Sequence, residues 1–195
     1  MVRVRTAEQM AQATLRHFEQ ATVTLMAAAV ADFRPVEVYP GKIKKQDGIP
    51  TLTLEPTPDI LAMIAPRRRP DQVVVGFAAE TENLIANATA KLHGKRLDFI
   101  VANDVLQEGA GFDADTNIVT LVFPDGRSKA FEKMNKLDVA HCILDEVVAI
   151  RQEAGVRNQY LLIVRLRMTY DTGPISRVTG TGKASPLGLL FAEGQ

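Results

Sequence analysis

The sequence predicts an α/β fold, a three-layer parallel sheet with an antiparallel extension, and three observations carry that expectation. Short apolar runs rich in Val, Ile and Ala recur at residues 21–28, 72–77 and 97–101, and unbroken runs of this kind suit strands covered on both faces. Stretches with helical spacing of apolar residues separate them. An Asp125-Gly126 pair lies between two β-rich stretches, 117–123 and 128–131, and marks a hairpin.

Taken in order, residues 2–5 alternate apolar and polar as a strand does, and Thr6-Ala-Glu-Gln9 has the spacing of a capping box that opens a helix through about His17. A loop holding Pro35, Pro40 and Gly41 follows the strand at 21–28, and residues 51–54 form a short strand. Thr57 is expected to cap a helix with Pro58 at its first position and Pro66 at its close. The helix at 81–93 is expected to end on Gly94 and the long one at 135–154 on Gly155. This alternation is Rossmann-like. Composition shifts only after Gly155. Residues 160–168 can form a strand, but 172–188 hold four of the thirteen glycines with Pro174 and Pro186 and read as loosely structured. The expected division is a domain at 1–155 and an atypical tail at 156–195.

With 195 residues, 46% of them apolar, the chain can bury one substantial core. Lys plus Arg and Asp plus Glu are equal at 23 each, so no global field draws it to nucleic acid or membrane, and any anion site must be local. Cys142 is the sole cysteine, which excludes an internal disulfide framework and a Cys-based zinc cluster and suits a reducing cytoplasm. The first residues lack the apolar core of a signal peptide, and no apolar run approaches the roughly 20 residues that span a bilayer. His17, His93 and His141 are dispersed and give neither metal-ligand spacing nor a triad. Cys142, inside the long helix, reads as packing.

Ligands of open α/β sheets bind beyond the carboxyl ends of the parallel strands. Ala27-Ala28-Ala29-Val30-Ala31-Asp32-Phe33-Arg34-Pro35 follows one strand, Phe77-Ala78-Ala79-Glu80-Thr81 ends a second and Ala102-Asn103-Asp104 ends a third. Small residues there let a planar base or a phosphate approach the backbone. Asp32, Glu80 and Asp104 supply acceptors or indirect metal ligands. Lys42, Lys44 and Lys45 in a Gly-containing loop, with Lys91 and Lys95 around Gly94, suit a polyphosphate. Taken singly, the lysine run reads as a solvated loop, Phe33 and Phe77 as core, and Asn103-Asp104 as an Asx-turn. The shared edge is what joins them into a nucleotide-like site. No G-x-G-x-x-G follows the first strand, which counts against a dinucleotide dehydrogenase. Gly180-Thr-Gly182-Lys183-Ala-Ser185 is no P-loop, since Arg177 stands for the required glycine and Ala184 for Ser or Thr.

The segments AAAVADFRP at 27–35, KIKK at 42–45, Pro58-Asp59-Ile60-Leu61, VGFAAET at 75–81, Lys91 with Lys95, and IVAND at 100–104 occur in the order and spacing typical of bacterial phosphopantothenoylcysteine synthetase. Gly109-Ala-Gly-Phe112 and Asn117 fit as well, and the resemblance covers about residues 2–148. It implies a ligase of coenzyme A biosynthesis that couples 4'-phosphopantothenate to a nucleoside monophosphate from CTP, with Mg2+, and then lets cysteine displace the nucleotide. It also implies a homodimer and a flavin-dependent decarboxylase partner, to which the domain is commonly fused.

Residue by residue, the resemblance places Met26, Ala27, Ala28 and Asp32 on the nucleotide-binding edge. Lys42 matches the catalytic lysine at the triphosphate and reaction centre. Pro58, Asp59, Ile60, Leu61 and Phe77 match the base and ribose pocket, and Lys91 and Lys95 further triphosphate contacts. Asn103 and Asp104 carry over more weakly.

Three departures qualify the resemblance. The family's opening strand, Gly-Gly-Thr loop and Asn-containing Ser-Ser-Gly-Lys segment have no counterpart ahead of Val2. Thr57 replaces the usual Asn before Pro-Asp-Ile, and the tail has no clear counterpart. The expectation is therefore a chain that binds CTP but turns over poorly by itself. In the less favoured arrangement the tail replaces the opening unit, as in a circular permutation. Its glycine and serine spacing is wrong for that, and no tail asparagine stands in the expected place.

Overall fold

The run of valines near residue 73 becomes an interior strand of the sheet. The computed structural model describes residues 2–38, 41, 49–80, 83–104, 115–155 and 166–168. The first elements are β1 (Val2–Val4), α1 (Ala7–Phe18), β2 (Val23–Met26), β3 (Phe33–Pro35), β4 (Leu54–Pro56), α2 (Ile60–Ile64), β5 (Val73–Glu80) and α3 (Leu84–Gly94). They continue with β6 (Phe99–Asp104), β7 (Thr116–Asn117), β8 (Val119–Val122), β9 (Ser128–Ala130), β10 (Met134–Asn135), α4 (Lys136–Glu153) and β11 (Leu166–Met168). The main sheet has the order β2-β5-β6-β8-β9. β2, β5 and β6 are parallel, with Met26 beside Gly76 and Glu80 beside Asp104, and β8 and β9 are the antiparallel extension.

Alternate residues of the sheet enter two cores, as the two-residue period of a strand dictates. Val73, Val75, Phe99, Val101, Val119 and Leu121 pack on Val139, Ile143 and Val147 of α4. Val74, Ala78, Ile100, Ala102 and Val122 pack on Ala88 and Leu92 of α3, Ile64 of α2 and Phe18 of α1. Three layers result, and each fully buried Val, Leu, Ile or Phe contributes about 1.5–3 kcal/mol. A third cluster joins Val4, Met10, Ala11, Ala13 and Ile60.

Polar groups close the amino edge of the sheet. Gln72, buried, donates through Nε2 to the carbonyls of Phe18 and Ala21 at 2.6 and 2.7 Å. Asp98 accepts from the Val74 N–H at 2.6 Å and from Arg68 at 2.5 Å, while Arg68 also donates to the Arg96 carbonyl at 2.6 Å. These bonds fix where β5 and β6 begin.

Several boundaries differ from the sequence expectation. Asp59, not Thr57, caps α2, accepting from the Ala62 N–H at 3.0 Å. Thr57 instead donates to the Ala31 carbonyl at 2.5 Å, and its N–H to that of Asp32 at 2.9 Å. α3 begins at Leu84 and closes on Arg96 (φ 53°) rather than on Gly94. Arg96 N–H donates to His93 and Leu97 N–H to Leu92, the double bond of a Schellman turn. Phe33–Pro35, expected as loop, is a strand paired antiparallel with Leu54–Pro56. β6 runs on through Asn103 and Asp104, which sit in the ladder rather than in an Asx-turn.

Other elements match the reading. Thr6 caps α1, and the Gln9 side chain reaches back to the Arg5 N–H, one residue beyond the usual box. Gly126 (φ 85°) turns the hairpin and Gly155 (φ 68°) ends α4. Of the strand expected at 160–168, residues 166–168 are described and pair in parallel with β1; the rest of the tail lies outside the described residues. No described helix is long and apolar enough to cross a membrane.

Gly76 of β5 is closely packed, because a Cβ there would stand 2.5 Å from Leu97 Cδ1. Gly76→Ala is expected to destabilise the fold by about 1–3 kcal/mol through overpacking, read as a lower urea midpoint at unchanged slope. A midpoint equal to wild type would mean that Leu97 swings aside at no cost.

Candidate functional site

The carboxyl edge of the parallel strands opens into a cleft of about 130 Å³. Sites that enclose a whole drug-sized molecule reach roughly 300–1,000 Å³, so this one has room for no more than a single ring or phosphoryl-sized group. Ala27, Ala28 and Ala29 after β2 form one wall, and Phe77, Ala78 and Ala79 of β5 another. Asn103 of β6, Asn117 of β7, and Lys136, Val139 and Ile143 of α4 complete it with Val101 and Val119.

The walls are small or apolar because the strands emerge there from the α4 core. Phe77 does both duties, packing on that core and lining the cleft. Polar character comes from the carboxamides and from Lys136. Asn117 accepts from the Ile118 N–H through Oδ1 at 3.1 Å. Asn103 holds a buried Oδ1 that receives no hydrogen bond, while the residue keeps other contacts.

Other residues singled out in the sequence fall elsewhere. Met26, at the end of β2, packs with Ile60 in the cluster around Val4 and Met10. Leu61 packs on the α3 face of the sheet, and Pro58 is half-buried ahead of the α2 cap. Asp32 is exposed, and so is Phe33, against the core reading of its ring. Lys42, Lys44, Lys45 and Gly109–Phe112 lie outside the described residues.

Lys91 and Lys95 do not line the cleft. They leave the end of α3, on the opposite face of the sheet, where Lys95 forms an ion pair with Asp59. Partial burial pushes the Asp59 carboxyl up, but the bonds from Lys95 and the Ala62 N–H, with the charges of Lys95 and Lys91, outweigh it and hold the carboxyl below its usual range.

The β3–β4 arm stands beside the cleft, joined to it by the Ala31 and Asp32 carbonyls through Thr57. Arg34 anchors the arm to α1, with its guanidinium 2.7 Å from Glu8 and 2.7 Å from Glu55. Sequence reasoning missed Lys136, Val119, Val139 and Ile143 as cleft residues. The signal was the i, i+3, i+7 spacing of Lys136, Val139 and Ile143, which puts all three on one stripe of α4.

Glu80 and Asp104 stand opposite each other at the ends of β5 and β6. Among the described residues no group of three or more His, Cys, Asp or Glu is arranged to hold a metal by itself.

A parallel sheet between helical layers, with a cleft of small residues at its carboxyl edge, defines a Rossmann-like α/β protein. Residues 1–150 match the DNA/pantothenate metabolism flavoprotein C-terminal domain, and the chain belongs to that family. It is 46% identical over 155 residues to the coenzyme A biosynthesis bifunctional protein CoaBC of Bacillus subtilis (strain 168), covering 80% of this chain and 38% of that one. To the CoaBC protein of Escherichia coli (strain K12) it is 39% identical over 160 residues, covering 80% and 39%. The chain thus spans about two fifths of these curated relatives.

The crystal structure of the C-terminal domain of a CoaBC protein superposes with a TM-score of 0.62 at 36% identity, over 78% of this chain and 68% of that one. A Cab2 variant in complex with phosphopantothenate-cysteine shares the fold with a TM-score of 0.59 at 19% identity, over 80% of this chain and 53% of that one.

A carboxyl whose pKa falls on folding stabilises the protein above its unfolded pKa, and that contribution is lost as pH drops through the folded pKa. Asp59 is 52% exposed, so solvent screening keeps the effect small. Asp59→Asn keeps an N-cap acceptor and isolates the charge. It is expected to melt slightly below wild type at neutral pH, with the gap closing as pH falls below the ordinary aspartate value of 3.8. Equal gaps at pH 7 and pH 3 would remove the role of the Lys95 pair.

Proposed function

We propose that the chain is the ligase portion of a coenzyme A biosynthesis enzyme, joining 4'-phosphopantothenate to cysteine with CTP. The observation that carries the reading is the cleft of Ala27, Ala28, Ala29 and Phe77 at the carboxyl edge, in a chain of this family. A carboxylate is a poor electrophile. Attack of its oxygen on the α-phosphorus of CTP releases pyrophosphate and leaves an acyl nucleotide. The cysteine amine then attacks the acyl carbon, CMP departs with the bonding pair, and the nitrogen loses a proton to give the amide.

In this reading Ala27, Ala28 and Phe77 receive the nucleotide, Asp32 holds one of its polar groups, and Lys42 offsets charge developing on the phosphates. Bound Mg2+ supplies charge neutralisation on the triphosphate, with Glu80 and Asp104 as the carboxylates on its side. A second reading is nucleotide binding without turnover. It is supported because, of the residues lining the cleft, Ala27, Ala28 and Phe77 carry a nucleotide assignment and none carries one to phosphopantothenate.

Calorimetry with CTP, ATP and GTP in magnesium, before and after 4'-phosphopantothenate, separates the two when paired with a cysteine-dependent pyrophosphate assay. CTP binding with pyrophosphate release supports the ligase, and binding alone supports the second reading. Absence of nucleotide binding overturns both. Lys42→Ala is expected to lower triphosphate-dependent turnover or affinity by roughly tenfold or more at an unchanged melting temperature. A large thermal loss with unchanged affinity would refute its role.

The reading includes a homodimer and a flavin-dependent decarboxylase partner. The β3–β4 arm supports the dimer. A lone two-stranded ribbon is marginal in water, and this one exposes Phe33, Val36, Val38, Ile49, Leu52 and Leu54, with Val38 87% and Ile49 99% exposed. A second copy of the chain packed against the arm would bury part of this apolar surface. Sedimentation is expected to show a dimer that Val38→Asp shifts toward monomer. A monomer at every concentration removes the claim.

A further inference from the structure

Residues 27–32 join β2 to β3 outside any helix or strand, and they begin with the Ala27, Ala28 and Ala29 wall of the cleft. Such a segment takes its position from what holds its back and its two ends. At its start it is continuous with β2, whose Met26 lies beside Gly76 in the sheet. Behind it, Ala28 and Val30 pack against the cluster of Met10, Ala11 and Ala13 of α1 with Val4 and Ile60. At its far end the Ala31 and Asp32 carbonyls accept from the Thr57 hydroxyl and N–H at 2.5 and 2.9 Å.

Arg34 ties that far end to α1. Its Nε donates to Glu55 Oε1 at 2.8 Å, across the β3–β4 pair, and its Nη1 stands 2.7 Å from Glu8 Oε1. An isolated exposed ion pair is worth little, in part because two mobile side chains must be ordered. Glu8 is already ordered in the first turn of α1, where its carboxylate accepts from its own backbone N–H and from the Thr6 hydroxyl. Glu55 projects from a paired strand. The planar guanidinium serves both carboxylates at once, which a point-like ammonium does less well.

We infer that Arg34 is a positioning residue for the cleft: through Glu8 it holds the far end of the 27–32 segment against α1 and so fixes the alanine wall that a ligand meets. Arg34 is not among the residues lining the cleft, so it acts on the shape of the wall rather than on the charge of the ligand. The inference rests on the nucleotide reading of the cleft and adds α1 to it as the support of one wall.

The test titrates CTP and cytidine into the wild-type chain, Arg34→Gln, Glu8→Gln and the double variant, with a melting curve and hydrogen exchange of the Thr57 N–H for each. Either single substitution is expected to weaken both ligands alike, by roughly three- to tenfold, within the range of a coupled pair. The double variant should bind no more weakly than the singles, since each removes the same tie. Thr57, which donates to the Asp32 carbonyl, should exchange faster in all three, with melting temperatures close to wild type. Unchanged affinity in either single variant overturns the inference and leaves the nucleotide reading intact. A loss for CTP without one for cytidine also overturns it, because that pattern marks a direct phosphate contact. Losses that add in the double variant show two residues acting separately, and a melting temperature that falls with affinity marks a general loss of fold; either result sinks the positioning role. If the wild-type chain binds neither CTP nor cytidine, the inference falls together with the reading beneath it.

Discussion

The constraint on which the structure depends is that β5 has no solvent-facing side from Val73 to Gly76. It pairs with β2 on one edge and β6 on the other, and its alternate residues enter opposite cores. A strand enclosed in this way must find apolar partners above and below, so α4 covers one face and α1, α2 and α3 the other. Its N–H and C=O groups are satisfied laterally, and its start is pinned by the Gln72 and Asp98 bonds. Gly76 shows how little room remains inside.

The same constraint shapes the site. Where enclosed strands leave the core, covering helices end and the walls are whatever the strand termini provide. Here they provide Ala27, Ala28, Ala29, Ala78 and Ala79 beside one aromatic, Phe77. Such a wall recognises shape and backbone more than charge, so charge has to come from an element that merely touches the edge. α4 brings Lys136 into the cleft lining. Lys91 and Lys95 of α3 do not line it, and Lys95 is engaged with Asp59.

Much of the fold was legible because burial on both faces leaves a compositional trace. The run at residues 21–28 contains β2, those at 72–77 and 97–101 hold the opening residues of β5 and β6, and Asp125-Gly126 and Gly155 mark turns that need positive φ. Terminal details were not legible. Thr57 and Asp59 both offer capping oxygens two residues apart, and the choice falls to Asp59 because Thr57 is drawn to the Ala31 carbonyl. Arg96 takes the left-handed position that Gly94 was expected to fill, with its carbonyl held by Arg68 from a distant segment. Of the site, the gathering of Ala27, Ala28, Phe77 and Asn103 followed from strand order. Lys136 did not, because which face a helix covers is decided by tertiary packing.

The pairing of β1 with β11 bears on how the chain reaches its native state. Its partners are about 160 residues apart in sequence, and the entropy of closing so long a loop must be met before the contact returns anything. On a ribosome adding about 5–20 residues per second, roughly ten to thirty seconds separate the emergence of the two strands. Through that interval α1 and β1 are made but β1 lacks this neighbour, and an open strand edge is the surface through which nascent chains associate wrongly. β1 is thus secured long after it is synthesised, which makes the speed of translation and the presence of chaperones part of what this fold requires.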